Sequence, residues 1–369
     1  MQTKLASVRH GDPVNGVYLV VNAFPLTSPK KGAEKWRGLS LMVTDGTTAK
    51  KVFLGNCQDN RDLMQFYSTW KTVRIVGKGK QNQGDVEIAA DEVRYEAADP
   101  DMLTPKALRP ATDYEARLDE LIELLDEPLA AVVAGVFTPA VRVRFFRIPA
   151  SERKHHAVLG GLAQHTIEVA ELAANMALTW NSLGRPVSWS LCVAGALCHD
   201  VGKMVEYASD GYPATVGEGG LTGHIYAGAV TVDELAFESL GNTARLQLLN
   251  VLLAHHGTKE WGSPVTPATP EAIIVHLADM CSAWVQGYHE ATPAHGELWA
   301  KSPICGFVWK GDRYGIEVPD DLVEAAEKQL ALFDDPKPAP VPPSPFRPPA
   351  MAPAPAASDD LDDPFATKE

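Results

Sequence analysis

Ala196-Leu197-Cys198-His199-Asp200-Val201-Gly202-Lys203 places two strong metal-ligand types side by side at the end of an apolar run, with a glycine and a cation close behind. Burying polar groups of this kind costs about 2–7 kcal/mol each unless something compensates. A helix end that reaches water would remove the cost, and so would a cation held between the two side chains. His199 and Asp200 alone leave both options open. The rest of the same half of the chain decides between them.

His165 follows Gly160-Gly161-Leu162-Ala163-Gln164, and His224 follows Leu221-Thr222-Gly223. His255 and His256 end the apolar run Val251-Leu252-Leu253-Ala254, and Asp279 closes the run that begins at Ile273. One such residue is more often a satisfied helix end than a ligand. Five sites in order within one region ask for a shared partner. Imidazole with carboxylate suits Mn²⁺, Fe²⁺ or Zn²⁺, one ion or two. The spacing of Leu118, Leu121, Ile122 and Leu125 is helical, and helices are expected over 161–180, 189–199, 223–238, 244–255, 271–286 and 320–333. His276 lies one turn before Asp279 and so faces the same side, where a core or bracing role suits it. Gly202-Lys203 is not a phosphate loop, because Leu197 stands where the first glycine belongs and Met204 replaces the Ser/Thr.

The chain has 369 residues, enough for two domains. Its net charge of −14 excludes a basic nucleic-acid coat over the whole molecule. Residues 1–98 nevertheless carry 14 Lys and Arg against 10 Asp and Glu, a net of +4, which leaves −18 on the remainder. One mildly basic module can still bind nucleic acid locally. Five cysteines without a CxxC spacing argue against a disulfide framework. The longest apolar run, 129–137, falls far short of the roughly 20 residues that cross a bilayer. With no signal-like N-terminus, the expected location is the cytoplasm and no membrane partner is expected.

Within the basic module, 17–24 and 39–43 read as strands, Asp45-Gly46 as a hairpin turn and 47–54 as the partner strand. A short helix over about 59–67 and strands over 72–76 and 86–95 complete the order. Five strands with a helix between the third and fourth is the order of an OB-fold, a small barrel that commonly holds single strands. The stretch after the first strand reads as a loop in which Lys30, Lys31, Lys35 and Arg37 surround Trp36, and Lys71, Arg74, Lys78 and Lys80 recur around the fourth strand. Cations beside an aromatic suit a strand whose phosphates meet the charges and whose bases meet the ring. The expected organisation is multidomain: an OB-fold barrel over 1–96, a linker over 97–112, an all-α region over 113–333, and a Pro/Ala-rich disordered tail over 334–369. The acidic end of that tail, 359–365, reads as a solvated segment or as a docking peptide for a protein partner.

The order H…HD…H…H…D resembles that of the HD-domain metal-dependent phosphohydrolases. His155-His156 before Gly160-Gly161-Leu162, the HDVGK run 199–203, Gly223-His224 and the 255–264 segment HHGTKEWGSP resemble the YhaM-type 3′→5′ exoribonucleases, which also place an OB-fold ahead of an HD domain. The likeness covers about 15–290 and leaves 296–319 without a counterpart. It implies that His165, His199, Asp200 and Asp279 hold one divalent cation, with Mn²⁺ expected. Asp200 would bridge to a second ion held by His224 and by His255 or His256, with His255 preferred. It also implies Lys203 on the scissile phosphate and Lys154, His155 and His156 as substrate contacts. The implied activity is a 3′→5′ exonuclease on single-stranded RNA, with DNA as a second candidate, releasing nucleoside 5′-monophosphates; an oligomer is compatible with it. Two rivals remain: an HD phosphohydrolase of a small nucleotide, and a single-strand binder without turnover.

Overall fold

Alternation of apolar and polar residues closes the N-terminal region into a barrel in the computed structural model. Residues 2–30, 33–55, 72–82, 85–99, 102–152, 154–208, 214–291, 293 and 298–311 are described, except for the side chains of 24–37 and 85. The strands are β1 (Pro13–Lys30), β2 (Ala33–Thr44), β3 (Ala49–Gly55), β4 (Thr72–Asn82) and β5 (Asp85–Tyr95). They run β1-β2-β3-β5-β4, and β4 returns to pair with β1 from Pro13 to Leu19. Only β3 and β5 run parallel. Leu39, Leu41 and Val43 are buried on one face of β2, as the period of two requires. They meet Val14, Tyr18, Val52, Val73, Ile75 and Ile88 in one core. Asp45 fixes the β2–β3 turn, its Oδ1 accepting from the backbone N–H of Thr47 and Thr48 at 3.0 and 3.2 Å.

The strand reading needs one correction. The first strand does not end at 24 but runs to Lys30 and pairs with β2 from Ala33, so 25–30 and 33–37 form a two-stranded arm rather than a loop. Pro25 and Pro29 suggested a turn. Both lie beyond Leu19, the last residue paired with β4, where β1 pairs on one side only among the described residues. An edge is where a strand accepts proline. The backbone of Lys30, Lys35, Trp36 and Arg37 belongs to this arm. Lys31, Lys71, the helix expected over 59–67, the helix over 320–333 and the tail from 334 lie outside the described residues.

Nine helices follow among the described residues: α1 (Ala111–Glu123), α2 (Glu127–Val136), α3 (Pro139–Phe145), α4 (Gly161–Ser182), α5 (Trp189–Cys198), α6 (Lys203–Glu206), α7 (Gly223–Ser239), α8 (Asn242–Ala254) and α9 (Pro270–Glu290). The small residues Ala163, Ala170 and Ala174 let α4 pack closely against Val193 and Leu197 of α5 and Val275 and Ala278 of α9. Leu118, Leu121, Phe145 and Ile148 are fully buried around this centre, each worth about 1.5–3 kcal/mol of burial. Ser188 caps α5 and Thr269 caps α9, accepting from Leu191 N and Ala272 N.

The region is not all-α to its end. Strands β6 (Trp299–Ser302) and β7 (Gly306–Trp309) form a hairpin in the segment that had no counterpart. Ser302 Oγ accepts from the backbone N–H of Cys305 at 3.2 Å and shapes its turn. Strands of four residues are too short to display a period in sequence. No single helix among the described residues is long and apolar enough to cross a membrane.

Candidate metal centre

Two helices end at the same point. His199 follows the last residue of α5 and His255 the last residue of α8, and each folds its side chain back onto its own helix. His199 Nδ1–H donates to Ala196 O at 2.7 Å, and His255 Nδ1–H donates to Leu252 O at 2.7 Å. Both rings therefore cap a carbonyl that a helix C-terminus leaves unpaired. Their Nε2 atoms face inward, and in the neutral ring these carry no proton.

His165, on the first turns of α4, reaches the same state through a relay. Its Nδ1 lies 3.0 Å from Ser282 Oγ, which donates to Glu168 Oε2 at 2.7 Å. The hydroxyl proton is thus committed to Glu168, and His165 Nδ1–H is the donor to Ser282. His224, at the start of α7, donates from Nδ1 to Glu206 Oε2 at 2.6 Å. His256 donates from Nδ1 to Trp261 O at 2.9 Å. In every case an acceptor fixes the tautomer and aims a bare Nε2 lone pair at the centre, the arrangement by which proteins orient metal-binding imidazoles.

Those lone pairs converge on two carboxylates. His165 Nε2 lies 3.1 Å from Asp279 Oδ1, 3.3 Å from His199 Nε2 and 3.6 Å from Asp200 Oδ2. His199 Nε2 lies 3.3 Å from Asp200 Oδ2. On the other side, His224 Nε2 and His255 Nε2 each lie 3.7 Å from Asp200 Oδ1. Asp200 Oδ1, His224 Nε2 and His255 Nε2 are all buried and without a hydrogen-bond partner among the described residues. Acceptors facing acceptors in a dry interior are unfavourable by several kcal/mol. A divalent cation bound by these groups would remove the conflict, so the donor set fits the metal that such a cluster implies. His165, His199 and Asp279 form one group able to hold an ion, and His224, His255 and His256 form another.

The electrostatics divide the imidazoles: against the effect of burial, Asp200 and Asp279 raise His199, whereas burial lowers His165, His255 and His256. Burial pushes the His165 pKa down to about 4 against the pull of Asp279. Burial, with His256 and His199 adding to it, holds His255 well below its ordinary value. Burial would raise Asp200, but Lys203 and His199 hold its carboxyl well below the usual range. Lys203 Nζ sits 2.5 Å from Asp200 Oδ2, and that carboxylate keeps the ammonium charged despite burial.

Gly202 makes the geometry possible. A Cβ there would lie 1.9 Å from His224 O and 2.6 Å from Gly228 N, so any side chain would push α7 off the His199-Asp200 turn. A cleft of about 330 Å³ opens over the centre, lined by Asp200, His255, Asp279 and Lys203 and flanked by Lys154 and His155.

Of the residues singled out in sequence, His165, His199, Asp200, His224, His255 and Asp279 come together, with His256 beside them. His276 braces His255 by donating from Nδ1 to its carbonyl at 2.7 Å. His156 corrects the expectation of substrate contact: it is fully buried, with Nε2 held 2.9 Å from Glu168 Oε2. Arg74 of the barrel is likewise engaged, bidentate on Glu96 at 2.6 Å, while Lys78 and Lys80 are exposed on β4. Sequence reasoning missed Glu206, Glu168 and Ser282. Glu168 alone had a signal, one helical turn after His165 on the same face of α4.

The buried His/Asp cluster is carried on helices in the order H…HD…H…H…D. Residues 162–284 match the family model described as HD domain, and this part of the helical region is an HD domain. Curated relatives extend the likeness beyond it. The 3′-5′ exoribonuclease YhaM of Listeria monocytogenes serotype 4b (strain CLIP80459) is 27% identical over 250 residues, 66% of this chain and 78% of that protein. The 3′-5′ exoribonuclease YhaM of Geobacillus sp. (strain WCH70) is 33% identical over 175 residues, 46% of this chain and 52% of that one. Among solved structures, the second OB-fold domain of replication protein A from Methanococcus maripaludis aligns at 20% identity over 27% of this chain and all of that domain, with a TM-score of 0.21. The barrel's assignment rests on its own closed topology.

Proposed function

We propose that the chain is a divalent-metal-dependent 3′→5′ exonuclease of single-stranded RNA, with DNA as a second substrate, that releases nucleoside 5′-monophosphates. One observation carries the reading: bare imidazole nitrogens meet Asp200 from both sides, on Oδ2 through His165 and His199 and on Oδ1 through His224 and His255. The relatives named as exoribonucleases support the choice of substrate. Divalent cations, Mn²⁺ by preference over Fe²⁺ or Zn²⁺, would supply Lewis-acid stabilisation of the charge that builds up in phosphoryl transfer. His165, His199, Asp200 and Asp279 would hold one, and Asp200, His224 and His255 the other.

The chain's own groups have separate tasks. Lys203 projects beside Asp200 into the cleft and would neutralise the scissile phosphate. Lys154 and His155, on the lining, would steer the incoming strand. Residues 1–96 would hold the strand, 113–333 would cut it, 97–112 would join the two, and 334–369 would be a solvated tail whose acidic end, 359–365, is the segment available to a protein partner. The setting is the cytoplasm, and the reading admits an oligomer.

Digestion of matched 5′-labelled RNA and DNA oligomers across Mn²⁺, Fe²⁺ and Zn²⁺ tests this, with product size as the readout. Asp200→Ala should slow shortening about a thousandfold, equivalent to roughly 4 kcal/mol. Unchanged activity would sink the site. A cleft of about 330 Å³, at the small end of ligand sites, also favours a second reading in which a free nucleotide is the substrate. Oligomers left intact while small nucleotides turn over would select it.

A further inference from the structure

Part of the cleft lining is aromatic. Trp261, Trp284, Met280, Ala283 and Ile304 line the cleft together with the acidic and cationic groups already described. Trp261 is 54% exposed and Trp284 46% exposed, so neither indole is part of the packed core. Both are nevertheless fixed in place. Trp261 ends the 3-10 turn Lys259–Trp261, and its carbonyl accepts from His256 Nδ1 at 2.9 Å, which ties the ring's backbone to the metal centre. Trp284 lies on α9 one turn after Met280, and its carbonyl accepts from Cys305 Sγ at 3.1 Å. The β6–β7 turn is seated there because Gly287 leaves room: a Cβ would lie 2.2 Å from Ile304 Cγ2.

A cleft whose lining combines carboxylates, imidazoles and ammonium groups with two half-exposed indoles matches a ligand with a phosphate end and an aromatic end. We infer that Trp261 and Trp284 form a nucleobase-binding wall, so that the cleft takes a nucleoside monophosphate unit by its phosphate and by its base. This rests on reading the cleft as a nucleotide site. Stacking on indoles tolerates any base, since each has a π-face, as a processive exonuclease requires. The role of the two rings is positioning and affinity, and the bond-breaking step does not involve them.

Calorimetric titration of the full chain in Mn²⁺ with AMP and with ribose 5-phosphate tests the wall without any turnover. The native chain should bind AMP about tenfold more tightly than ribose 5-phosphate, the usual scale of one base–aromatic stack. Trp261→Ala and Trp284→Ala should each remove most of that advantage and leave ribose 5-phosphate binding within about twofold. Trp284→Phe should restore it. Equal binding of the two ligands by the native chain, or equal weakening of both by the variants, would overturn the proposal. The oligomer digestion separates the two readings. Intact oligomers with AMP still preferred would remove the exonuclease and keep the wall, and shortened oligomers without a preference for AMP would do the reverse.

Discussion

Among the described residues of the barrel core, Tyr18 is the one buried titratable side chain, and its hydroxyl donates to Thr3 O at 2.7 Å. The core of the helical region buries His156, His165, His199, Asp200, Lys203 and His255. The barrel's buried ionisable group is satisfied by the chain itself, and the buried orphan there among the described residues is a neutral hydroxyl, Ser40 Oγ. At the helical centre, Asp200 Oδ1, His224 Nε2 and His255 Nε2 are left for something the chain does not provide. An interior whose ionisable groups are satisfied makes a scaffold. An interior with matched, unspent lone pairs makes a receptacle, and its lack of internal compensation is what marks it as functional.

Three experiments probe how cleanly the two regions divide these roles. The largest effect is expected from Glu206→Ala, which removes the acceptor that orients His224. Metal affinity in a calorimetric titration should fall about 10–100-fold, with single-strand binding unchanged; weaker strand binding as well would break the division. Next is the pair Lys78→Ala with Lys80→Ala on the exposed face of β4. The slope of log affinity against log salt for an RNA oligomer should drop by about 0.7 per lysine removed, while hydrolysis of bis(p-nitrophenyl) phosphate stays as it was. An unaltered slope would take the strand away from this face.

The smallest effect belongs to Tyr18, whose pKa burial pushes up to about 12. An unfolded tyrosine titrates near 10, so above that pH the unfolded chain releases a proton that the folded barrel keeps. Stability from this group is complete below pH 10 and is lost as pH rises through 12, about 1 kcal/mol by pH 11. Denaturant midpoints for Tyr18→Phe should therefore fall less steeply over that range than those of the native chain. Parallel curves would show that the phenol does not couple to folding.

The centre was more legible than its surroundings. His199-Asp200, His255 and Asp279 stood out because each interrupts or ends an apolar run, a contrast that short-range sequence displays. Glu206 and Ser282 gave no such contrast: their partners, His224 and Glu168, lie 18 and 114 residues away. Only folding makes those pairs. Trp284 was hidden for a similar reason, because an indole on an apolar helix face reads as core until the neighbouring wall is known to be a cleft. In the barrel, the periodic residues of β2 were plain, whereas the prolines of β1 signalled a turn that the one-sided edge of the sheet does not need. His156 shows the converse: its place beside His155 suggested a shared role, yet its ring is turned into the interior toward Glu168.

Gly202 sets a dimension as well as permitting a turn. Backbone there meets backbone, with His224 O and Gly228 N closer than any side chain would allow. The span between the Asp200 half of the centre and the His224 half is therefore gauged by the main chain, with nothing compressible in between. Side chains in the surrounding core can drift, repack and change the stability of the domain without altering that gauge. Chemistry that needs a fixed spacing is in this way insulated from the slow turnover of the residues that hold the fold together.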